Sequence, residues 1–475
     1  MTAAQLNEIS KWKLEAHEED NARYFFRPTE YERLLDGDIC YVVGRKGSGK
    51  SAIAANIART EEFDTFTATL SFKDFPFNIL YEQGDADFTS PSQYTTVWKF
   101  VILSSICGLM AQNEAIRGEL VPSLQKTFST DFNAALRGST TKAGPQSFSI
   151  SIAEVIRVEL GKAKSEDDRK SLGERVRLLE KLIIEYLDDS KYFVIFDELD
   201  EDYDDVLISS AKKSYFDLLT GLFKAVAAIR RSFSVKPGIR PVVFLRDDIY
   251  DLIKNNDKNK WDDLRWDLRW TPDQLKTLIG FRIARAFDPS SRQFDWKKSL
   301  NTFFANSKMS YGHRKKRERP VINHVLDRTM WRPRDLISFF RECAALAVER
   351  KMQVAGQRVV KDCEEQYSIR LRQEIVDEMH SLIPDIEGVL DEIGKLRLHM
   401  FRYSDLEPKL RNSDLDMANL SPEKVAELLF HFNVVGNVPK QEKERIYRYK
   451  NPRSKFSIED KLIVHPGLMR SLEVT

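Results

Sequence analysis

The chain is short of net charge: over 475 residues, 74 Lys and Arg oppose 73 Asp and Glu, leaving a formal balance of +1. No global field holds it on nucleic acid or an anionic membrane, so any polyanion site must be local. It is also short of cysteine. Cys40, Cys107, Cys343 and Cys363 lie far apart, without the C-x-x-C spacing that begins a zinc site or a dithiol, and read as free core thiols. No run of roughly eighteen apolar residues occurs to cross a membrane. The opening MTAAQLNEISKWKLEAHEED is polar and acidic where a signal peptide needs an apolar stretch. A soluble, cytoplasmic protein without membrane contact is expected. Internal repeats, low-complexity tracts and nuclease, protease or metal-cluster constellations are lacking too. What is present is core-forming material: 42% of residues are hydrophobic, 29 of them Phe, which excludes wholesale disorder. The length suits about three domains.

Residues 1–35 read as a helical lead-in ending in the cluster Tyr24-Phe25-Phe26-Arg27. A nucleotide-binding core is expected over 36–280, with strands at Asp38–Val43, Thr65–Phe72, Phe193–Phe196 and Val242–Leu245. Helices alternate with these mostly unbroken apolar runs, the signature of a parallel sheet covered on both faces. An insertion is expected near 115–165, containing SFSISI (147–152) with the period-two alternation of a strand. Thr271-Pro272-Asp273-Gln274 has the form of a capped helix start. Helices alone are expected from there to about 370, with a helical lid over 281–370. In the tail, 371–475, helices near 385–397 and 421–432 precede GNV, RIYRY and KLIV, three strand candidates in the order of a winged-helix-like domain.

The strongest motif is Gly44-Arg45-Lys46-Gly47-Ser48-Gly49-Lys50-Ser51, a full G-x-x-x-x-G-K-S between a buried strand and a helix. Gly44, Gly47 and Gly49 let backbone N–H groups, with those of Lys46 and Ser48, curl round a phosphate. Lys50 reaches the outer phosphates and Ser51 ligates Mg²⁺. The strand FVIF ends in Asp197 and Glu198, placing Asp197 beside the metal and Glu198 where it can deprotonate water. Asp200 and Glu201 are close enough to leave the choice of base open, and the acids beyond Glu201 fit a solvated loop. The strand Val242–Leu245 ends in Arg246, at the ligand-facing end of a doubly wound sheet. Arg246 is either a γ-phosphate reporter or a surface arginine paired with Asp247 or Asp248.

Together these elements resemble the AAA+ and STAND divisions of P-loop NTPases. The resemblance implies a sensor role for Arg246, matches Asp200 and Glu201 to further acids after the Walker B strand, and implies a second sensor at Arg334 in Trp331-Arg332-Pro333-Arg334-Asp335. It also offers an adenine-covering role for Tyr24 to Arg27, beside the plainer reading as core aromatics. The set GRKGSGKS, FDELDE, FLRDDIY, RPRDLISFF and IVHPGL looks like a bacterial P-loop ATPase family found partly among phage-defence genes. No arginine finger stands out, since Arg230 and Arg231 suit a helix C-terminus equally.

The fold class expected is α/β: a P-loop NTPase core with a parallel sheet, a helical lid and a winged-helix-like tail. The function expected is an ATPase switch using ATP and Mg²⁺, with Glu198, Lys50, Arg246 and Arg334 as catalytic residues. Its nucleotide state would control assembly of a homo-oligomer or engagement of a protein effector, in the anti-phage setting the resemblance implies. A DNA-binding ATPase of the origin-recognition or loader type, a non-hydrolysing scaffold and a metabolic kinase remain open. Arg445, Arg448, Lys450, Arg453 and Lys455, interleaved with Tyr447 and Tyr449, could meet nucleic acid, although a protein-docking module is the first reading of the tail, and His313–Arg317 reads as a solvated loop before a contact site. Against groove reading, the helix 421–432 carries Glu423 and Glu427.

Overall fold

The computed structural model describes residues 3–60, 62–71, 92–127, 166–200, 212–234, 238–291, 294–311, 317–439 and 444–474. The expected SFSISI strand, Glu201 and the acids after it, and residues 313–316 lie outside these. The chain forms two compact units: Arg27–Arg269, and Met1–Phe26 together with Trp270–Thr475. The helices α1 (Ala3–Ser10) and α2 (Asn21–Tyr24) thus belong with the C-terminal residues.

The first unit runs α3 (Tyr31–Leu35), β1 (Tyr41–Gly44), α4 (Lys50–Ala58), β2 (Thr65–Ser71), α5 (Ser92–Met110), α6 (Glu114–Thr127), α7 (Glu166–Tyr186) and β3 (Lys191–Asp197). It continues with α8 (Lys212–Ser232), β4 (Ile239–Arg246), α9 (Asp247–Leu252), α10 (Lys258–Asp262) and β5 (Arg265–Asp267). The strands form one five-stranded parallel sheet in the order β2-β3-β4-β1-β5. The alternation of side chains explains their unbroken apolar runs. Tyr192, Val194 and Phe196 join the large cluster built with α5, α7 and α8, while the intervening Phe193 and Ile195 are just as buried. β4 begins at Ile239, ahead of the expected Val242, because Pro241 is tolerated there. It pairs with Val194 of β3, and β1 joins β4 only from Val243, so no ladder bond is asked of the missing N–H.

The strand order fixes where a ligand goes. The connection after β1 runs towards β2, and that after β4 runs the other way, past β1 to β5. The carboxyl ends of β1 and β4 therefore border the crevice where strand order reverses. Gly44 and Arg246 stand in register there.

The second unit continues from α1 and α2 with α11 (Pro272–Phe287), α12 (Trp296–Phe303), β6 (Lys308–Tyr311), β7 (Arg317–Pro320), α13 (Val321–Leu326), α14 (Pro333–Glu349) and α15 (Gln357–Met379). Thr271 closes the capping box at the start of α11: its Oγ1 accepts from Gln274 N at 3.2 Å, and Gln274 Oε1 accepts from Thr271 N at 2.9 Å. Between the helices, β6 and β7 form an antiparallel hairpin where helices alone are expected from sequence. β7 is Arg-Glu-Arg-Pro and largely exposed, so it carries no apolar period to read.

The tail is α16 (Ile386–Lys395), β8 (Met400–Arg402), α17 (Tyr403–Arg411), α18 (Pro422–His431), β9 (Val435–Val438) and β10 (Lys461–Val464), with an antiparallel sheet in the order β8-β10-β9. RIYRY does not form the expected strand. Ile446 makes one bridge to Asn437, with N–H to carbonyl bonds of 2.9 and 2.8 Å, and the chain then turns. Tyr447 points into the core instead, its hydroxyl donating to Val464 O at 3.2 Å. Among the described residues no helix is long and apolar enough to cross a membrane.

Candidate nucleotide site

The loop from Gly44 to Gly49 joins β1 to α4 with Gly47 and Gly49 in the left-handed region, at φ 77° and 100°. At Gly44 a Cβ would lie 2.7 Å from Ser48 Oγ and 3.0 Å from Leu268 O, so the close turn itself requires glycine. Gly49 caps α4 without a side-chain bond, leaving the first-turn amides for an anion. Lys50 folds back into the loop, its Nζ donating to Gly44 O at 2.8 Å and Arg45 O at 3.2 Å. Withdrawal from water lowers the pKa of this ammonium, against the opposing charges of Asp200, Asp197 and Asp247. Lys46 is half-buried and Ser48 buried in the same loop.

Asp197 ends β3 and is only 8% exposed. Burial raises the pKa of its carboxyl, and the opposing influences are a hydrogen bond donated by the Ser51 hydroxyl, the Lys50 charge and the Glu198 amide. Ser51 and Asp197 thus sit side by side at the mouth of the phosphate loop. Two hard oxygens, completed by phosphate and water, fit Mg²⁺, which is seldom caged by protein alone. Among the described residues no group of three or more His, Cys, Asp or Glu could hold a metal by itself.

Glu198 follows at φ 54°, a left-handed conformation that costs a non-glycine residue roughly 1–3 kcal/mol. The turn is held on its far side, where buried Leu199 accepts at its carbonyl from Tyr215 OH at 2.9 Å. Ser71, at the end of β2 and in register with Asp197, is also buried at this edge. Sequence reasoning missed Ser71 and Tyr215. Ser71 could have been found as the polar residue closing an apolar strand, whereas nothing near Tyr215 announces its role.

Arg246 ends β4 with its side chain 10% exposed. Its Nε donates to Asp248 Oδ1 at 3.1 Å and its Nη2 to Asp248 Oδ2 at 2.6 Å, a two-point pairing. The opposite corner, Nη1, donates to Asp200 Oδ2 at 3.4 Å. Asp248 is itself fixed, since Oδ1 also accepts from Ile249 N at 3.0 Å. Asp247 lies alongside, its carboxyl pKa raised by burial and by the Asp248 charge, and lowered by Arg45 and Lys50.

The first unit therefore gathers Gly44, Lys50, Ser51, Asp197, Glu198, Asp200 and Arg246 at one end of its sheet. The other candidates stand on other elements, several of them in the second unit. Arg334 belongs to the second unit, at the start of α14, with Nη2 donating to Glu15 Oε1 at 2.5 Å. Its neighbour Arg332 is buried and bound to Asp335, Glu374 and Glu378 at 2.8, 3.0 and 2.9 Å. Tyr24 is a core aromatic of that unit, packed edge-on against Trp12 with its hydroxyl donating to Glu8 at 2.8 Å. Phe26 packs on Trp270 and Phe281. Arg230, in the last turn of α8, directs Nη1 at Cys40 Sγ 3.5 Å away, and Arg231 is exposed. In the tail Arg445, Lys450, Arg453 and Lys455 are exposed, and half-buried Arg448 lies against His431. Lys450 stands over the rings of Trp331, Tyr447 and Tyr449, within 5.5–5.7 Å of their centroids.

Residues 273–376 match the family model of a FunZ-associated C-terminal helical domain. The chain is 21% identical to an 80.3 kDa protein of Escherichia coli (strain K12) ascribed to the transposon gamma-delta, with 93% of this chain and 63% of that protein covered. It thus spans less than two thirds of the relative's length. Among solved structures, it is similar to a Walker-type ATPase of Pyrococcus abyssi at a TM-score of 0.38 and 12% identity, covering 94% of this chain and 96% of that one. It is similar to the ORC2 protein of Aeropyrum pernix, in its ADPNP–ADP complexes, at 0.38 and 14%, covering 93% and 88%. For the ORC1 protein of the same organism in complex with DNA the values are 0.31 and 9%, covering 99% and 91%. The chain is a P-loop α/β protein by its own sheet order and phosphate loop.

Proposed function

We propose that the protein binds and hydrolyses ATP and acts as a nucleotide-controlled switch. The observation that carries this is the meeting of Ser51 with Asp197, beside Lys50 and the phosphate loop, at the switch point of the sheet. Backbone amides of the loop and Lys50 bind the phosphates. Ser51 and Asp197 would hold Mg²⁺, which when bound supplies neutralisation of phosphate charge. Glu198, turned out of the strand by its left-handed backbone, orients and deprotonates the attacking water. Arg246 answers the charge of the γ-phosphate.

Purified protein is expected to turn over ATP, with Lys50→Ala losing binding and Glu198→Gln losing about 10²–10⁴-fold in rate while retaining nucleotide. Nucleotide binding without turnover in the unaltered protein would leave a scaffold role in its place. Control of assembly or of a protein effector, in the phage-defence setting supplied by the motif resemblance, is the downstream part of the proposal. Light-scattering mass with ATP, with ADP and without nucleotide tests it, and an identical mass and conformation in all three would refute it.

A second reading is contact with DNA by the tail. The order α16, β8, α17, α18, β9, β10 is that of a winged helix, and exposed Arg445, Arg453 and Lys455 lie on the connection between its last two strands. Binding would weaken steeply with salt, and neutralising each phosphate-contacting residue would reduce the salt slope by about 1. No binding at low salt removes this reading.

A further inference from the structure

We propose that Asp200 is an internal competitor of the γ-phosphate, which makes it the residue that sets discrimination between ATP and ADP. The inference rests on the nucleotide-binding reading above. Its physical basis is one carboxylate that bonds one cation of the site and acts electrostatically on the other. Asp200 Oδ2 accepts from Arg246 Nη1 at 3.4 Å, and among the surrounding charges Asp200 acts most strongly on the Lys50 ammonium. These are the two cations assigned to the outer phosphates, so a γ-phosphoryl group must enter the field that this carboxylate now neutralises.

Among the described residues, the two acidic partners of Arg246 are unequal, and the difference assigns their roles. Asp248 grips the Nε and Nη2 edge through two bonds, at 3.1 and 2.6 Å, and is anchored in turn by the amide of Ile249. It is a positioning residue that keeps the guanidinium in place. Asp200 meets the opposite corner, Nη1, by a long single bond, and is the weaker-held of the two. A triphosphate offers anionic oxygens that outbid one carboxylate, whereas a diphosphate leaves Asp200 on Arg246. The exchange would carry news of the γ-phosphate along the turn after β3, which also bears Glu198.

The experiment measures affinities for ADP and for the non-hydrolysable analogue ADPNP, with Mg²⁺, by titration calorimetry. Asp200→Asn removes the charge without changing shape and is expected to shift the ratio in favour of ADPNP about tenfold, as expected for losing one unit charge near the γ-position. Asp200→Glu keeps the charge and should keep discrimination within about twofold of the unaltered protein. Asp248→Asn should shift the ratio the opposite way, towards ADP. An unchanged ratio in Asp200→Asn overturns the inference, as does weaker ADPNP binding, which would place Asp200 on the ligand's side. Unaltered protein that binds neither nucleotide overturns the underlying reading as well, whereas normal binding with an unshifted ratio overturns this inference alone.

Discussion

Single residues in this chain show how charge is managed once it leaves water. His324 is buried with Glu364 at Nε2 and Arg319 at Nδ1, and Glu364 Oε2 also forms an ion pair with Arg328, 2.8 Å from its Nε. An arginine can only donate, so Nδ1 must be unprotonated and the ring neutral, donating from Nε2 to the carboxylate. Burial accordingly lowers the pKa of His324, although Glu364 pulls the other way. For Glu364, burial raises the carboxyl pKa but the His324 bond and the Arg328 charge more than reverse it, and the net direction is down. The sign follows: below the unfolded histidine value of about 6.5, the unfolded chain takes up a proton that the folded one resists, so stability is full above that pH and falls as pH drops. Glu364 adds a second loss at lower pH, as it protonates. Thermal melting between about pH 7.5 and about pH 5.5 should show a steady decline. His324→Gln keeps one donor and one acceptor and should flatten that slope, and an equal slope in the variant would refute the assignment. None of this network was legible beforehand, because the partners come from positions 319, 324, 328 and 364, on different elements, and carry no common motif. The phosphate-loop residues were legible for the opposite reason: their chemistry demands a fixed local spacing.

At the scale of elements, what could be read was what packing writes into sequence. The strands β1 to β4 were legible because burial on both faces requires continuous apolar runs, and only their ends moved, as at Pro241. The hairpin of β6 and β7 and the three-residue β8 were not, since charged or very short strands leave no period. Helix contacts leave even less trace. α5 and α8 pack so closely that a Cβ at Gly221 would fall 2.6 Å from Tyr94 Cβ and 3.1 Å from its backbone carbon. Helix propensity alone favours alanine there by about 1 kcal/mol. Packing should win, because both clashing atoms are fixed rather than at the end of a flexible side chain, and overpacking costs about 1–3 kcal/mol. Gly221→Ala is therefore expected to lower the denaturant midpoint of the protein. A rise in stability would mean that α5 can move aside and that propensity governs.

The whole molecule divides differently from the chain order. Residues 1–26 precede the nucleotide-binding unit in sequence but complete the core of the other unit. Leu6, Ile9 and Trp12 are buried in the cluster that includes Leu275, Ile279, Leu336 and Phe340. The join is also ionic: Arg282 of α11 is buried, paired with Glu19, and lies 4.7 Å from the ring centroids of both Trp12 and Tyr24. Burial lowers the pKa of this guanidinium, with Glu19 opposing, and the group stays charged, so its partner is what compensates that charge. Removing one side of such a pair strands the other, a loss of about 3–5 kcal/mol. Replacing the pair by apolar groups costs far less, so Arg282→Met with Glu19→Leu should be milder than Glu19→Leu alone. Hydrogen exchange locates the effect. In Glu19→Leu the amides of α11 and α14 should lose protection, while those of β1, β3 and β4 keep theirs and the affinity for ADP stays unchanged. Loss of protection in the sheet as well would mean that the two units fold as one cooperative body, and the lead-in would then stabilise the nucleotide site too. Preserved sheet protection would instead make residues 1–26 a strap of the second unit alone, with the polypeptide leaving that unit at Phe26 and returning to it at Trp270.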